Sequence, residues 1–310
     1  MKEKLNSFIN SLNIGKAETF ENISVFPIFG KNSEGVSFIT LNEAVKKGCI
    51  EVTEISEGGS VPNLKVKNRS EHHILIFDGE TLVGAKQNRI VNTTIIILPY
   101  KEVIIPVSCV EKGRWNYRTQ KFSSSASHSR LYPELRKEVC RDTFQSLKES
   151  AHAYSNQSKV WNYIDSKLAY MKVNSSSSAM EDIFTNYEDR LSDISNKFKP
   201  LDNQIGTGIL INDKLALLEI FSNSDVLKGE FQKIISSVGI DALEHREKTS
   251  KKLKNPASKI QGLLKKMKDA KLEAFDGVGG GKDLRIASKD FIGSAFEYNG
   301  EILHMTVFPE

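Results

Sequence analysis

The sequence predicts an α+β protein: a β-rich N-terminal half, either a sandwich or a small barrel, packed with a helical C-terminal half that ends in β-hairpins. Three observations carry that expectation. From Ile23 to about Trp115, short apolar runs alternate with turn residues. From Tyr132 to Phe198, apolar residues recur at helical spacing instead. Near the end, "IGTGILINDKLALLEIF" and "IGSAFEYNGEILHMTVF" align without a gap, each with Asn-Asp or Asn-Gly at its turn. The corresponding boundaries are an N-terminal helix over 1–20, a β-rich half over 21–122 and a helical half with hairpins over 123–310, or one integrated domain.

Taken in order, "MKEKLNSFINSLNIGKAETF" has Leu5, Phe8, Ile9 and Leu12 on one helical stripe, and its alternating charge is not that of a secretory signal. "ISVFPIFG" predicts a strand interrupted by Pro27, and "VSFIT" a second one. In "TLNEAVKKG", Thr40 and Glu43 form a capping box and Gly48 a C-cap, so a helix is expected there. "CIEVTEI" and "NLKVKN" alternate as half-buried strands do. Asp78-Gly79, between "HHILIF" and "ETLVGA", predicts a two-residue hairpin. "VNTTIIIL" and "EVIIPVSCVE" are further strands, the second placed at an edge or a bulge by Pro106.

"FSSSASHSR" is expected to be a mobile link. Three amphipathic helices follow, marked by Leu135, Val139, Phe144 and Leu147, then Val160, Ile164, Leu168 and Met171, then Met180, Ile183, Tyr187 and Leu191. The two gapless segments at the end are expected to be paired hairpins of one sheet.

Hydrophobic residues make up 39% and charged residues 26% of the 310, enough apolar material for a sizeable core. A net charge of +4 is too mild to argue for nucleic acid by itself. No apolar run approaches the roughly 20 residues of a membrane span, so no membrane partner is expected. Three cysteines, Cys49, Cys109 and Cys140, lack the spacing of a zinc or disulfide framework, and a reducing cytoplasm is the expected location.

The site candidates lie in two polar clusters, each beside an apolar strand. The first is the run Lys86, Gln87, Asn88 and Arg89, with Glu80 before it and Asn92 after it. A regular strand would point Lys86 and Asn88 one way and Gln87 and Arg89 the other. Gly84-Ala85 offers an escape, because glycine in a strand often marks a bulge. The second cluster is "SCVEKGRW", with Glu111, Arg114 and Trp115. If the two strands are neighbours, both clusters line one cleft. Guanidinium forks there would hold phosphate, amides would read polar edges and Trp115 would stack, while Glu80 and Glu111 are the acid–base candidates. Tied or solvated residues at a sheet end are the plainer alternative.

Other features carry less. Cys109 has no implied partner for nucleophilic work and is more simply read as buried. His72-His73 alternates across its strand, so no metal site is expected. "GVGGGKD" lacks Walker spacing and is expected to be a flexible loop. The lysine-rich stretch from Lys248 to Lys271, with Lys251, Lys252, Lys265 and Lys266, is either a solvated helix face or a nucleic-acid surface, and the former is favoured.

"FDGETLVGAKQNRIVNTTIIILP", "IPVSCVEKGRW", "GTGILINDKLALLEIF" with "GIDALE", and "IGSAFEYNGEILHMTVF" together resemble a prokaryotic domain family. It is the ARG and Rhodanese-Phosphatase-superfamily-associated family, named for its association with ADP-ribosylglycohydrolases and rhodanese-phosphatases. The resemblance runs from about Ile23 to Phe308, with the KQNR and CVExGRW motifs its most specific parts. It implies a link to ADP-ribose or NAD-derived nucleotide chemistry and to phage defence, but brings no catalytic mechanism and specifies no cofactor. The expected ligand is therefore a nucleotide-like small molecule. The alternatives are an accessory or scaffold protein with partners in a defence or ADP-ribosylation system, and RNA binding through the lysine-rich stretch.

Overall fold

A computed structural model describes residues 1–33, 35–124, 130–246 and 257–310. Helix α1 (Lys2–Asn10) buries Leu5 and Ile9 and leads through β1 (Asn13–Ile14) and β2 (Glu18–Phe20) into β3 (Ile23–Phe29). Pro27 does not interrupt β3. Its missing N–H would face the outer edge, in the gap between the register of β1 on Ile28 and Phe29 and that of β2 on Ile23 to Val25, and its carbonyl accepts from Gly15 N at 2.8 Å.

The chain then leaves this sheet for β4 (Phe38–Thr40), α2 (Leu41–Lys46), β5 (Ile50–Thr53), β6 (Asn63–Asn68), β7 (His73–Ile76), β8 (Thr81–Gly84), β9 (Arg89–Val91), β10 (Ile95–Ile97), β11 (Glu102–Cys109) and β12 (Phe122–Ser124). The capping box of α2 is present, and Gly48 follows it with φ +64°. Of the two β-rich architectures expected, the barrel is found. Six strands in the order β12-β8-β9-β11-β6-β5 curl into a nearly closed sheet, with Lys121 Nζ 3.2 Å from Glu51 Oε1 across the remaining gap. β10, β7 and β4 form a separate three-stranded sheet in which β4 and β7 run parallel.

The hairpin expected at Asp78-Gly79 is absent, because β7 and β8 belong to different sheets. Only Gly79 has positive φ, +78°, so this is not the doubly left-handed turn that joins two strands of a hairpin. The turn hands the chain from one sheet to the other and aims the Asp78 carboxylate at Arg136, 2.9 Å away. Pro106 sits where β11 changes partner, pairing with β6 up to that residue and with β9 beyond it.

Helices α3 (Pro133–Ser150), α4 (Gln157–Tyr170), α5 (Met180–Asn186) and α6 (Glu188–Lys197) come next. The third helix expected from the sequence is thus two. It breaks at Tyr187, whose hydroxyl donates to Met171 O at 2.9 Å. The chain closes with β13 (Gln204–Ile211), β14 (Lys214–Phe221), α7 (Ser224–Glu244), α8 (Ala257–Asp269), β15 (Lys271–Asp276), β16 (Lys282–Ala287), β17 (Phe291–Tyr298) and β18 (Glu301–Pro309). The glycine-rich segment is a packed turn between β15 and β16, not a loose loop. Part of the serine-rich link, together with Lys251 and Lys252, lies outside the described residues.

A nine-stranded sheet joins both ends of the chain in the order β1-β3-β13-β14-β18-β17-β16-β15, with β2 also on β3. The two similar segments are its paired hairpins. Asn212-Asp213 and Asn299-Gly300 both carry positive φ at both turn positions, and a β-bulge falls at Ile209/Leu210 in one and at the equivalent Phe296/Glu297 in the other. Glu219 pairs with Thr306, its own equivalent, so the hairpins meet across a local pseudo-twofold axis. The likeness extends outward: β2–β3 lies against β13 as β15–β16 lies against β17, and helices α1 and α8 pack together over one face through Leu5, Ile9, Ile260, Leu264 and Met267. The chain is therefore a doubled helix-plus-four-strand unit, with the barrel and the α3–α6 helices inserted between β3 and β13.

The opposite face carries a polar row. Thr207, Glu219, Thr306, Ser294 and Arg285 are successive cross-strand partners over β13, β14, β18, β17 and β16. The insertion docks here. Arg136 of α3 binds Glu219 through both Nη atoms at 3.0 and 2.8 Å, and Arg130 Nη2 lies 3.0 Å from Glu219 Oε1. His304 bridges Thr94 (2.8 Å) and Glu219 (3.0 Å), and Arg285 Nη2 reaches Thr93 at 2.9 Å.

Two predictions follow from this docking face. A Cβ on Gly279, at φ +81°, would fall 1.8 Å from Ile96 O, so Gly279→Ala should lower the unfolding free energy by roughly 2–4 kcal/mol in urea titrations. Although burial works against its charge, Arg136 and His304 hold the Asp78 carboxyl at about 2, below its ordinary 3.8. A depressed carboxyl contributes stability that is complete above 3.8 and is lost as pH falls through about 2. That contribution is roughly 2 kcal/mol, and urea midpoints should fall less steeply over this range in Asp78→Asn than in the parent protein.

Candidate functional site

The register Cys109↔Arg89 between β11 and β9 makes the two polar clusters neighbours at one end of the barrel. The regular strand that would have splayed KQNR does not persist. β8 ends at Gly84 (φ +124°), and Ala85 follows with φ +39°, so Ala85 to Gln87 run as a bend and Asn88 leads into β9. A Cβ at Gly84 would lie 2.5 Å from Thr119 Oγ1 and 2.9 Å from Lys121 O, so only glycine admits the returning loop.

Within this corner the residues divide into a strut and an open pair. Glu111 and Arg114 are the strut. Arg114 binds the carboxylate at both oxygens (Nε–Oε1 2.8 Å, Nη2–Oε2 2.6 Å), and also donates to Ala85 O at 2.6 Å and Asn116 O at 2.9 Å. Asn88 N donates to Glu111 Oε2 at 3.1 Å, Ser177 Oγ to Oε1 at 3.1 Å, and Asn88 Oδ1 accepts from Arg114 Nη2 at 3.2 Å. Burial opposes charge on Glu111, but the Arg114 guanidinium and the Asn88 N–H hold its carboxyl below the usual range.

The open pair is Arg89 and Glu54. Arg89 is wholly buried; its Nη1 donates to Gln87 Oε1 at 2.7 Å, while Nε and Nη2 have no hydrogen-bond partner. Glu54 is buried as well, with neither carboxylate oxygen hydrogen-bonded and Oε1 4.0 Å from Arg89 Nη2. The Trp115 ring, 41% exposed, covers them with its centroid 5.6 Å from the Arg89 guanidinium. Lys86 Nζ lies 5.3 Å from the centroid of Trp115 and 5.1 Å from that of Tyr117, and donates to Gly58 O at 3.1 Å. Burial pushes the Cys109 thiol up, with Arg89 acting against it, and Sγ donates to Glu111 O at 3.3 Å.

Two of the expected residues are held elsewhere. Glu80 Oε1 lies 3.1 Å from Lys233 Nζ on α7, next to Glu230, whose carboxyl burial pushes up. Asn92 donates to Ala153 O at 3.1 Å and accepts from Ser108 at 2.7 Å. Glu54 and Tyr117 are the residues sequence reasoning missed. Glu54 had a signal: it continues the inward phase of Ile50 and Val52 in "CIEVTEI", where a carboxylate is out of place.

Among the described residues, one set of three donors lies close enough to hold a metal ion: Glu134, Glu244 and His245. The ammonium of Lys167 already sits there, 2.9 Å from Glu134, 2.8 Å from Asp241 and hydrogen-bonded to Glu244. His73 meets the Tyr298 hydroxyl at 3.4 Å. On α8, Ile260, Leu263, Leu264 and Met267 are buried, and Lys266 pairs with Asp290 at 3.0 Å. No helix among the described residues is long and apolar enough to cross a membrane.

The model of the ARG and Rhodanese-Phosphatase-superfamily-associated Protein domain matches residues 11–308, and the chain belongs to that family. No curated protein and no solved structure matches it.

The strut generates a test of its own. Replacing Glu111 by Gln strands a buried guanidinium, so Glu111→Gln should destabilise the protein by about 3 kcal/mol in chemical denaturation.

Proposed function

We propose that this member of the ARG and Rhodanese-Phosphatase-superfamily-associated family binds a nucleotide of the ADP-ribose or NAD class at the Arg89–Glu54–Trp115 corner of the barrel. The observation that carries the proposal is a buried pair of opposite charges in which Arg89 Nε and Nη2 and both Glu54 oxygens make no hydrogen bond. Taking a guanidinium and a carboxylate out of water is costly, and leaving their donors and acceptors unmade adds to that cost. A ligand that satisfies both recovers it. The free Nε and Nη2 of Arg89 form the side of the fork that grips a phosphate through two parallel bonds. Lys86, beside Trp115, adds a second positive charge, and the half-open indole offers a stacking face for a base.

In this proposal phosphate falls to Arg89 and Lys86, and Gln87 orients Arg89 from behind. Arg114, Asn88 and Glu111 act as the frame, because their polar atoms are tied to one another and to the Ala85 and Asn116 carbonyls. Glu80 and Asn92 belong to the docking of the barrel against its helices. The proposal is one of binding: both Glu111 oxygens are taken up by Arg114, Asn88 and Ser177, which leaves that carboxylate no free position for moving a proton. The family name supports a setting among ADP-ribosylation-linked modules.

Calorimetric titration of the full chain with ADP-ribose, NAD and cyclic ADP-ribose tests the proposal. Binding of at least one, weakened about tenfold or more in Trp115→Ala by loss of base stacking, is the expected result. No heat from any of the three would end it.

A further inference from the structure

Glu54 directly follows β5 and continues the inward phase of Ile50 and Val52, which pack with the barrel's apolar core, yet it is a carboxylate. Its two oxygens are buried and accept nothing. An ionised carboxylate is acceptor-only, so whatever completes Glu54 must donate. Arg89 offers only donors from its open edge, so whatever completes Arg89 must accept and is best anionic. The occupant must therefore present hydroxyl or amide donors on one side and an anion on the other, within the span of two neighbouring side chains.

The spacing narrows this further. Oε1 of Glu54 and Nη2 of Arg89 stand 4.0 Å apart, too far for a hydrogen bond. A single hydroxyl oxygen about 2.8 Å from each would donate to the carboxylate and accept from the guanidinium. The remaining oxygen, Oε2, lies on the Gly59 side, where a Cβ would come within 3.4 Å of it, 3.2 Å of Lys86 Cδ and 3.1 Å of Trp115 Cζ2. Glycine at φ +77° adds no side chain of its own to that flank, over which Trp115 and Lys86 close. Two acceptors on one carboxylate match two hydroxyls on adjacent carbons. This is how an acidic residue holds the diol of a nucleotide ribose.

We propose that Glu54 reads the vicinal diol of a ribose whose phosphate is held on the Nε–Nη2 edge of Arg89. The proposal rests on the nucleotide reading above and narrows it to ligands with an unsubstituted ribose diol. Trp115 and Tyr117 are the solvent-open part of the cover and give the route in, and the Lys86 ammonium, 5.3 Å from the indole centroid, adds its charge beside the same phosphate.

The test compares ADP-ribose with its two deoxy analogues, one lacking the 2′-hydroxyl of the adenosine ribose and one lacking the corresponding hydroxyl of the terminal ribose. Titrated into the wild-type full chain, one analogue should bind about tenfold to hundredfold more weakly than ADP-ribose and the other equally well. Glu54→Gln should bind all three alike, with its melting temperature recorded to confirm that it folds. If the wild-type protein binds all three alike, the diol assignment fails while nucleotide binding stands. If Glu54→Gln keeps the wild-type discrimination, the diol is read by another residue. If ADP-ribose gives no binding at all, the failure lies with the nucleotide reading, and this inference goes with it.

Discussion

Glu219 sits fully buried beside the pseudo-twofold axis of the large sheet, and three cationic or polar groups from other parts of the chain converge on it. Arg136 arrives from α3, Arg130 from the segment before it, and His304 from the neighbouring strand. A lone buried carboxylate would be protonated or would unfold its surroundings. Burial does oppose its charge, but Arg130 and Arg136 hold it well below the ordinary range. Neither the barrel nor the helices can move off the sheet without stranding these charges. The ion cluster therefore sets the register of docking more than it adds net stability.

The same cluster explains which parts of the fold were legible in the sequence. Each hairpin of the large sheet depends on a two-residue turn whose chemistry is local, and Asn212-Asp213 and Asn299-Gly300 behave as their residue types require. Asp78-Gly79 is a dipeptide of the same turn-forming kind with a different fate. Its aspartate is drawn inward by Arg136, far along the chain, and a long-range ion pair overrides the local preference. Tyr187 is a similar case: the apolar stripe of its helix continues through it, but a hydrogen bond to the end of α4 fixes a break. The glycine-rich turn became a packed contact because it meets the backbone of a strand in another sheet, which no window of sequence around it could reveal.

The site was legible in a comparable measure. KQNR and CVEKGRW were visible as polar interruptions of apolar strands, and the pairing of Arg89 with Cys109 brings them together. Sequence could not sort the charges that satisfy each other from those that do not. Glu111 and Arg114 are consumed by mutual bonds of 2.6 and 2.8 Å, whereas Arg89 and Glu54 stand 4.0 Å apart and keep theirs open, a difference of side-chain placement that no residue type encodes. Glu54 itself was marked only by being a carboxylate in the inward phase of a short strand.

The insertion between β3 and β13 has a consequence for how the molecule is made. Phe29 and Gln204 face each other in the finished sheet, yet the ribosome delivers them far apart in time. While the barrel emerges, β3 has an open edge and no permanent mate, and α1 has no α8 to lie against. Pro27 and the short β1 and β2 guard only the opposite, outer edge, so the edge that will receive β13 keeps its backbone donors and acceptors open in the meantime. The nascent N-terminus is thus guarded on one side alone and stays open on the other to pairing with a stranger until its rightful neighbour is synthesised.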